Sequence, residues 1–482
     1  MQKILNYING ELVEPNSKKW IDNIDPATGD VYSLIPDSDS SDIDSAARAA
    51  KDAFPAWANT SNEERYRVLN KLVELIKENA DELALAESID NGKPLKLAQK
   101  VDIPRAWQNF EFFATGIMHF ASESHNMQAA NTINYTLRQP IGVVGCISPW
   151  NLPLYLFTWK IAPAIAAGNC VVAKPSEVTP MTAYLLSELA IKAGLPKGVL
   201  NIVHGLGHKV GDSITRNPEI KAISFTGGTK TGEAIASIAA PMFKKLSLEL
   251  GGKNPNLVFA DCDYKKALST SVMSSFANQG QICLCGSRIY IEESIYEKFK
   301  EDFVAKVNKL KVGNPLDSDS NLGAVVSKDH QEKVLSYIDL AVEEGGTILT
   351  GGKKLELDGE CKNGYFIAPT VIEGLDNNCR IQQEEIFGPV VTLTPFKNEE
   401  HALELANSSQ YGLSSTIWTQ DLNRANRIAN KIDAGIVWVN CWLHRDLRTP
   451  FGGVKNSGVG REGGFEVFKF FTEPKNVCIQ WS

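Results

Sequence analysis

From residue 141 onward the chain repeats one pattern, a short apolar run, a helix-like stretch, then another apolar run, as at residues 141–147, 169–173, 200–203 and 222–225. Short continuous apolar runs suit strands buried on both faces. A helix between consecutive strands makes them parallel, because each crossover carries the chain back to the edge from which it started. An α/β fold with a doubly wound parallel sheet is therefore expected. A second alternation starts near Asn256 and runs through residues 288–291, a helix-like stretch at 295–310 and a strand at 435–440.

The N-terminal hundred residues read differently. Ser61 and Glu64 have the spacing of a capping box, and Leu69, Leu72, Val73 and Ile76 recur at helical intervals, so long amphipathic helices are expected there. At 482 residues the chain exceeds what one hydrophobic core supports and should divide into two or three domains. A net charge of −8 without any basic stretch argues against a nucleic-acid partner. No long apolar window occurs and Met1 to Tyr7 lacks an apolar core, so no membrane partner or signal peptide is expected and the protein is read as cytoplasmic. Nine cysteines are scattered without Cys-x-x-Cys or His-Glu-x-x-His, which fits reduced thiols and no metal site. Cys146 and Cys170 lie in apolar runs and read as core residues.

Two segments carry reactive groups: Cys283 in Gly280-Gln281-Ile282-Cys283-Leu284-Cys285-Gly286, and Glu249 in Leu248-Glu249-Leu250-Gly251-Gly252-Lys253. A thiol attacks carbonyl carbon when ionised, and an unperturbed cysteine is mostly protonated near neutral pH, so the fold must present it in a favourable setting. With a carboxylate base nearby, such a thiol can form a thioester and release it to water. The turn Phe225-Thr226-Gly227-Gly228-Thr229-Lys230-Thr231-Gly232 joins an apolar run to a helix-like stretch, a place where backbone N–H groups and a helix N-terminus suit a pyrophosphate. Thr229 stands at the middle glycine of Gly-x-Gly-x-x-Gly, so taken alone the turn is equally an ordinary strand-to-helix connection.

Both segments resemble the signature pair of the NAD(P)-dependent aldehyde dehydrogenase superfamily. Tyr7-Ile8-Asn9-Gly10, Pro26-Ala27-Thr28-Gly29, Ser148-Pro149-Trp150-Asn151, Lys174-Pro175-Ser176-Glu177, Glu384-Glu385-Ile386-Phe387-Gly388-Pro389 and Pro450-Phe451-Gly452-Gly453 extend the resemblance, in order, over nearly the whole chain. It implies a Rossmann-like NAD-binding domain at residues 1–117 and 141–251 and an α/β catalytic domain at 252–450. A small β flap at 118–140 and 465–482 would join chains into a homo-oligomer, dimer or tetramer. The resemblance makes Cys283 the nucleophile, Glu249 the base that activates water, and the Asn151 amide with the Cys283 N–H the oxyanion donors. Lys174 and Glu177 would bind the adenosine ribose, and an acid there disfavours a 2′-phosphate, which points to NAD. Gly227 and Gly228 would form the phosphate turn, Glu385 would bind the nicotinamide ribose, and Phe387 and Trp150 would complete the cofactor site. Cys285 reads as a pocket-lining neighbour.

The Cys-Leu-Cys run and residues 440–451 resemble the subgroup that oxidises 2-aminomuconate and 2-hydroxymuconate semialdehydes, substrates that carry carboxylate. A guanidinium binds carboxylate through two parallel hydrogen bonds. The subgroup's two pocket arginines match Arg105 and Arg445 here, with Arg448 a third candidate. For each, the competing expectation is a salt bridge within the chain, to Asp102 or to Asp446. His444 departs from the aliphatic or aromatic residue usual there, which bears on side-chain selectivity. The resemblance thus implies NAD-dependent oxidation of a small-molecule aldehyde, 2-aminomuconate 6-semialdehyde. Its 2-hydroxy analogue, betaine aldehyde, succinate semialdehyde and a catalytically silent NAD-binding protein are the alternatives. Intact Cys283, Glu249 and Asn151 argue against the silent form, and Glu249 argues against acyl transfer to CoA.

Overall fold

In the computed structural model, which describes residues 1–481, the first alternation forms the body of an eight-stranded sheet. Val143–Ile147 is laid down near its middle. Cys170–Lys174 and Leu200–Ile202 follow on one side, Ile220–Thr226 and Lys245–Glu249 on the other, and all these pairings are parallel. The winding reverses beside Val143–Ile147, so the carboxyl ends of that strand and its two neighbours open onto a crevice, the usual ligand position in such sheets. Antiparallel strands Asn6–Ile8 and Glu11–Val13 close one edge, and Gly458–Val459 closes the other against Lys245–Glu249. This last strand comes from a segment whose glycines hid it from pattern reading.

Helix Asn62–Glu78 starts at the expected capping box: the Ser61 hydroxyl accepts from Glu64 N–H and the Glu64 carboxylate accepts from Ser61 N–H. Leu69, Leu72, Val73 and Ile76 form its buried face. Helix Pro153–Ala166 has no solvent face at all; each of its residues is buried, Lys160 included. Such a helix belongs in a core, and it runs straight from the segment that carries Asn151. Cys146 and Cys170 are both buried in the strands, as read. One element had no sequence signal: a π-helical turn, Ala98–Asp102, placed directly before helix Ile103–Gly116. Single π turns inside helices re-aim side chains and gather at functional sites.

The second alternation forms a seven-stranded sheet. Arg288–Glu292, Pro255–Val258, Ser414–Trp418, Ile436–Val439, Val390–Phe396 and Thr370–Glu373 pair in parallel, and Thr347–Thr350 is the one antiparallel edge. Residues 277–287, between helix Tyr264–Phe276 and strand Arg288–Glu292, carry Cys283 toward the first sheet. A third sheet is antiparallel and joins Ser124–Met127, Thr132–Pro140 and Thr472–Gln480. Among the described residues no helix is long and apolar enough to cross a membrane.

Candidate active site

A cavity of about 580 Å³ occupies the switch point of the first sheet. Trp150, Lys174, Glu177, Gly227 and Gly228 all line it. Lys174 Nζ donates to Glu177 Oε2 at 2.8 Å, and Glu177 Oε1 accepts from Gly207 N–H at 3.0 Å. Burial pushes the Glu177 carboxyl up, but Lys174 and the Gly207 N–H outweigh it and leave the group below its ordinary value. The carboxylate is therefore ionised and faces the cavity as an anion. Gly228 caps helix Thr229–Ala239 with no side-chain oxygen on the first N–H groups, which leaves them for an anion. A Cβ on Gly227 would sit 2.4 Å from the Phe225 ring, whereas one on Gly228 meets no atom within 4 Å.

Trp150 continues the cavity toward two residues from segments that flank the seven-stranded sheet. Its ring lies edge-on to Phe387, with centroids 5.2 Å apart, and 5.0 Å from His330. His330 Nε2 and the Phe387 carbonyl are 2.7 Å apart, so the ring nitrogen donates. Burial lowers the His330 pKa to about 4, and the ring is neutral. That bond holds Phe387 in a left-handed conformation, φ 62°. Glu385 is turned inward: its Oε1 accepts from Gly252 N–H at 2.9 Å, and it lines a small recess with Cys285 and Phe387 rather than the large cavity. Cys285 thus differs from the pocket-lining neighbour expected of it. It lines that small recess and is absent from the cavity that Cys283 lines.

The loop around Cys283 is locked by amides. Asn278 and Gln279 both adopt positive φ, followed by Gly280 at φ 72°, where a Cβ would lie 2.1 Å from the Gly388 carbonyl oxygen. Asn254 Nδ2 donates to the carbonyls of Cys283 and Cys285 at 2.7 and 2.8 Å. Asn151 Nδ2 donates one hydrogen to the Gln281 carbonyl at 2.9 Å, which leaves its second hydrogen for another acceptor. Among the described residues the backbone N–H of Cys283 donates to no acceptor. Both free hydrogens belong to the residues expected to serve an oxyanion; Asn151 itself is buried and lines neither cavity. The thiol itself is not in the favourable setting expected. Burial, then the charges of Glu385 and Glu249, push Cys283 well above the ordinary thiol range, and Arg445 opposes this only in part.

Cys283 and Glu249 share a second cavity, of about 370 Å³, that meets the first at Thr226. Glu249 ends strand Lys245–Glu249, is 3% exposed, and neither carboxylate oxygen has a hydrogen-bond partner. Burial and then the nearby Glu462 raise its pKa well above the ordinary value. Glu462 is held by Lys160 Nζ at 2.8 Å and the Ser224 hydroxyl at 3.0 Å. Arg105 and Arg445 line the same cavity, and among the described residues neither has a carboxylate within ion-pair distance. The competing salt bridges do not form: Asp102 is taken by Lys93 at 2.9 Å and Asp446 by Arg448 at 2.6 Å. Arg448 is therefore spent on the surface, and His444 sits at the exposed mouth with its carbonyl accepting from Trp438 Nε1. Tyr155 supports both pocket arginines. Its hydroxyl accepts from Arg445 Nη1 at 2.6 Å and its ring lies 5.7 Å from the Arg105 guanidinium. The Phe451 ring stacks on Arg445 at 3.8 Å.

Residues 12–477 match the aldehyde dehydrogenase family. The chain belongs to that family. It is 50% identical to the 2-aminomuconic semialdehyde dehydrogenase of Danio rerio, over 98% of each chain. To the 2-hydroxymuconic semialdehyde dehydrogenase of Pseudomonas sp. (strain CF600) it is 46% identical over 100% of each. The NAD+ complex of a Bacillus cereus aldehyde dehydrogenase superposes with a TM-score of 0.97 at 38% identity, covering 100% of this chain and 97% of that one. This aldehyde dehydrogenase offers the same cofactor a fitting site: an uncapped helix N-terminus, open space at Gly228 and an ionised acid at Glu177. Gly228→Ala is expected to leave the thermal midpoint nearly unchanged and to weaken NAD binding by roughly tenfold, about 1.4 kcal/mol. Titration calorimetry checks it; unchanged affinity removes the turn from the cofactor site.

Four residues of the site escaped sequence reading: Glu462, Tyr155, Asn254 and His330. Asn254 had a usable signal, since it follows directly on Leu-Gly-Gly-Lys. Glu462 and Tyr155 had none, because their partners lie hundreds of positions away in the chain.

Proposed function

We propose that this enzyme oxidises 2-aminomuconate 6-semialdehyde to the corresponding acid, with NAD as hydride acceptor. The observation that carries the reading is the pair Arg105 and Arg445, unpartnered by any carboxylate and lining the cavity of Cys283 and Glu249. A guanidinium kept out of ion pairs and backed by aromatic faces is a ready receptor for a substrate carboxylate. The relatives named for muconate semialdehydes support the same class. The 2-hydroxy analogue presents that carboxylate equally, and nothing in the cavity discriminates against it.

In this reading the Cys283 thiolate attacks the aldehyde carbon, and the carbonyl oxygen takes the negative charge. The second hydrogen of Asn151 Nδ2 and the Cys283 N–H receive it; one such donor is typically worth about 3 kcal/mol of barrier. Bound NAD would supply the hydride acceptor, and loss of hydride from that carbon would leave a thioester on Cys283 Sγ. Glu249 then accepts a proton from water, the hydroxide attacks the thioester, and the carbon–sulfur bond breaks to release the acid. Lys174, Glu177, Gly227 and Gly228 hold the adenosine and phosphates, with Trp150 and Phe387 at the nicotinamide end. Glu385 would have to turn from Gly252 to reach the nicotinamide ribose.

The same reading makes the three-stranded sheet the contact between chains of a homo-oligomer. The exposed apolar side chains of Leu137, Ile479 and Trp481 at that sheet support it.

The test is NADH production from 2-hydroxymuconate semialdehyde, a tractable surrogate, beside betaine aldehyde, succinate semialdehyde and hexanal. Arg105→Ala and Arg445→Ala are each expected to raise KM for the muconate compound by roughly ten- to a hundredfold, the loss of a charge-assisted hydrogen bond, and to change hexanal kinetics little. Equal effects on both substrates would remove the arginines from carboxylate recognition.

A further inference from the structure

Beneath the seam between the two cavities lies a charged cluster that the chemistry above does not use. Glu87, Lys93 and Asp102 have fully buried side chains. Lys93 Nζ donates to Asp102 Oδ1 at 2.9 Å and to the backbone carbonyl of Asn151 at 3.1 Å, with Glu87 Oε1 3.5 Å away. The second Glu87 oxygen accepts from Leu154 N–H at 3.2 Å, in the first turn of a helix that lacks a capping side chain of its own. Asn91 Nδ2 donates to the Trp150 carbonyl at 2.9 Å. Gly92, at φ +80°, ends the helix between these residues. Trp150, Asn151 and Leu154 are thus all held from one short stretch, residues 87–93.

The same lysine reaches the other end of the substrate cavity. Asp102 closes the π turn Ala98–Asp102, and the helix that follows it presents Arg105 to the cavity. Asp102 and Arg105 are three apart, near neighbours on a helical surface, where an acid and an arginine ordinarily pair. Here Asp102 is fully buried and pairs with Lys93 instead. A buried ion pair is weak evidence for stability, since desolvation offsets much of the attraction. What this one does geometrically is join the segment of Asn151 to the helix of Arg105 through a single ammonium group.

We propose that Lys93 is a positioning residue that sets the separation between the Asn151 oxyanion donor and the Arg105 carboxylate receptor, and keeps Asp102 away from Arg105. The enzyme thereby selects semialdehydes whose carboxylate lies at one fixed reach from the aldehyde carbon. The inference rests on the roles proposed above for Asn151 and Arg105.

The test compares Lys93→Met, Asp102→Asn and the double variant Lys93→Met with Asp102→Leu, which removes both charges and retains an apolar filling. Each is assayed for kcat and KM with 2-hydroxymuconate semialdehyde and with hexanal, together with its thermal midpoint. In the double variant Glu87, whose carboxyl burial already raises to about 8, stays protonated without the ammonium, and the midpoint is expected to stay near that of the parent. Its kcat should fall with both substrates on the order of ten- to a hundredfold, as Asn151 loosens, and its KM should rise for the muconate compound alone. Lys93→Met should show the largest KM rise, because Asp102 then recruits Arg105, and Asp102→Asn a smaller one. A stably folded double variant with unchanged kcat and unchanged preference overturns the proposal. So does a loss that is equal for both substrates and tracks the folded fraction. Arg105→Ala run alongside separates the two levels. If it leaves preference unchanged, the arginine reading falls and this inference with it. If it abolishes preference while the Lys93 variants keep theirs, only the inference about Lys93 falls.

Discussion

Cys283→Ser is expected to lower turnover by roughly a thousandfold or more, the scale seen when a covalent catalyst loses its nucleophile. Among the described residues the Cys283 side chain makes no hydrogen bond, and its loop is held through backbone carbonyls by Asn254, Asn151 and Asn278. Exchanging sulfur for oxygen therefore leaves the loop in place, and the thermal midpoint and NAD affinity should barely move. The reactivity changes because the pocket is already hostile to an anion at this position. Burial and the charges of Glu385 and Glu249 raise even the thiol, and an alcohol, far less acidic, ionises there to no useful extent. The same cause gives the parent enzyme a pH dependence with a definite sign: the thiolate fraction, and with it the acylation rate, rises with pH. Single-turnover NADH formation measures this step directly, and a near-normal rate in the serine variant would rule out Cys283 as the nucleophile.

Glu249→Ala is expected to leave one rapid turnover and then slow the steady state by about a hundred- to ten-thousandfold, the usual contribution of a positioned acid–base group. Hydride leaves before water is needed, so NADH should appear as a burst equal to the enzyme present, with the thioester trapped on Cys283. The fold should tolerate the change. Both oxygens of Glu249 lack partners, and a buried carboxyl of raised pKa gives up its proton only at a cost, so nothing in the structure depends on its charge. The pH sign follows from the direction of the shift. The base form of a raised carboxyl accumulates as pH climbs through the raised value, so hydrolysis in the parent accelerates with pH. In the alanine variant that rise disappears from the deacylation step. Rapid mixing followed by acid trapping of the acyl-enzyme checks both statements; a normal steady state without a burst would remove Glu249 from the mechanism.

Much of this was legible before the fold was known. Alternating apolar runs and helix-like stretches specify a parallel sheet because both periods are local, and the strands appear within a few residues of where the runs stand. The motifs of Cys283, Glu249 and the 225–232 turn were readable for the same reason: each is contiguous in the chain. Arg105 and Arg445 could be singled out by resemblance, but their freedom could not. The nearest acids in sequence, Asp102 and Asp446, were the natural partners, and each had a second cation close by in the chain; only the structure shows that Lys93 and Arg448 win them.

The environment of each reactive group was hidden for a related reason. Whether a thiol or a carboxyl is raised or lowered depends on how much water the surrounding elements exclude and on which distant charges they bring near. Glu462 reaches Lys160 across 302 positions, and Tyr155 reaches Arg445 across 290. The sequence by itself determined the local ingredients of the sheets, because strand and helix periods are local, and it carried enough contiguous motifs to show the family; the roles of Cys283 and Glu249 are what that resemblance implies. Only the tertiary structure decided that Cys285 lies outside the cavity of Cys283, that the thiol is raised rather than lowered, and that both arginines stand free of carboxylates. Burial and ion pairing are sums over neighbours in space, and most of those neighbours are far apart in the chain.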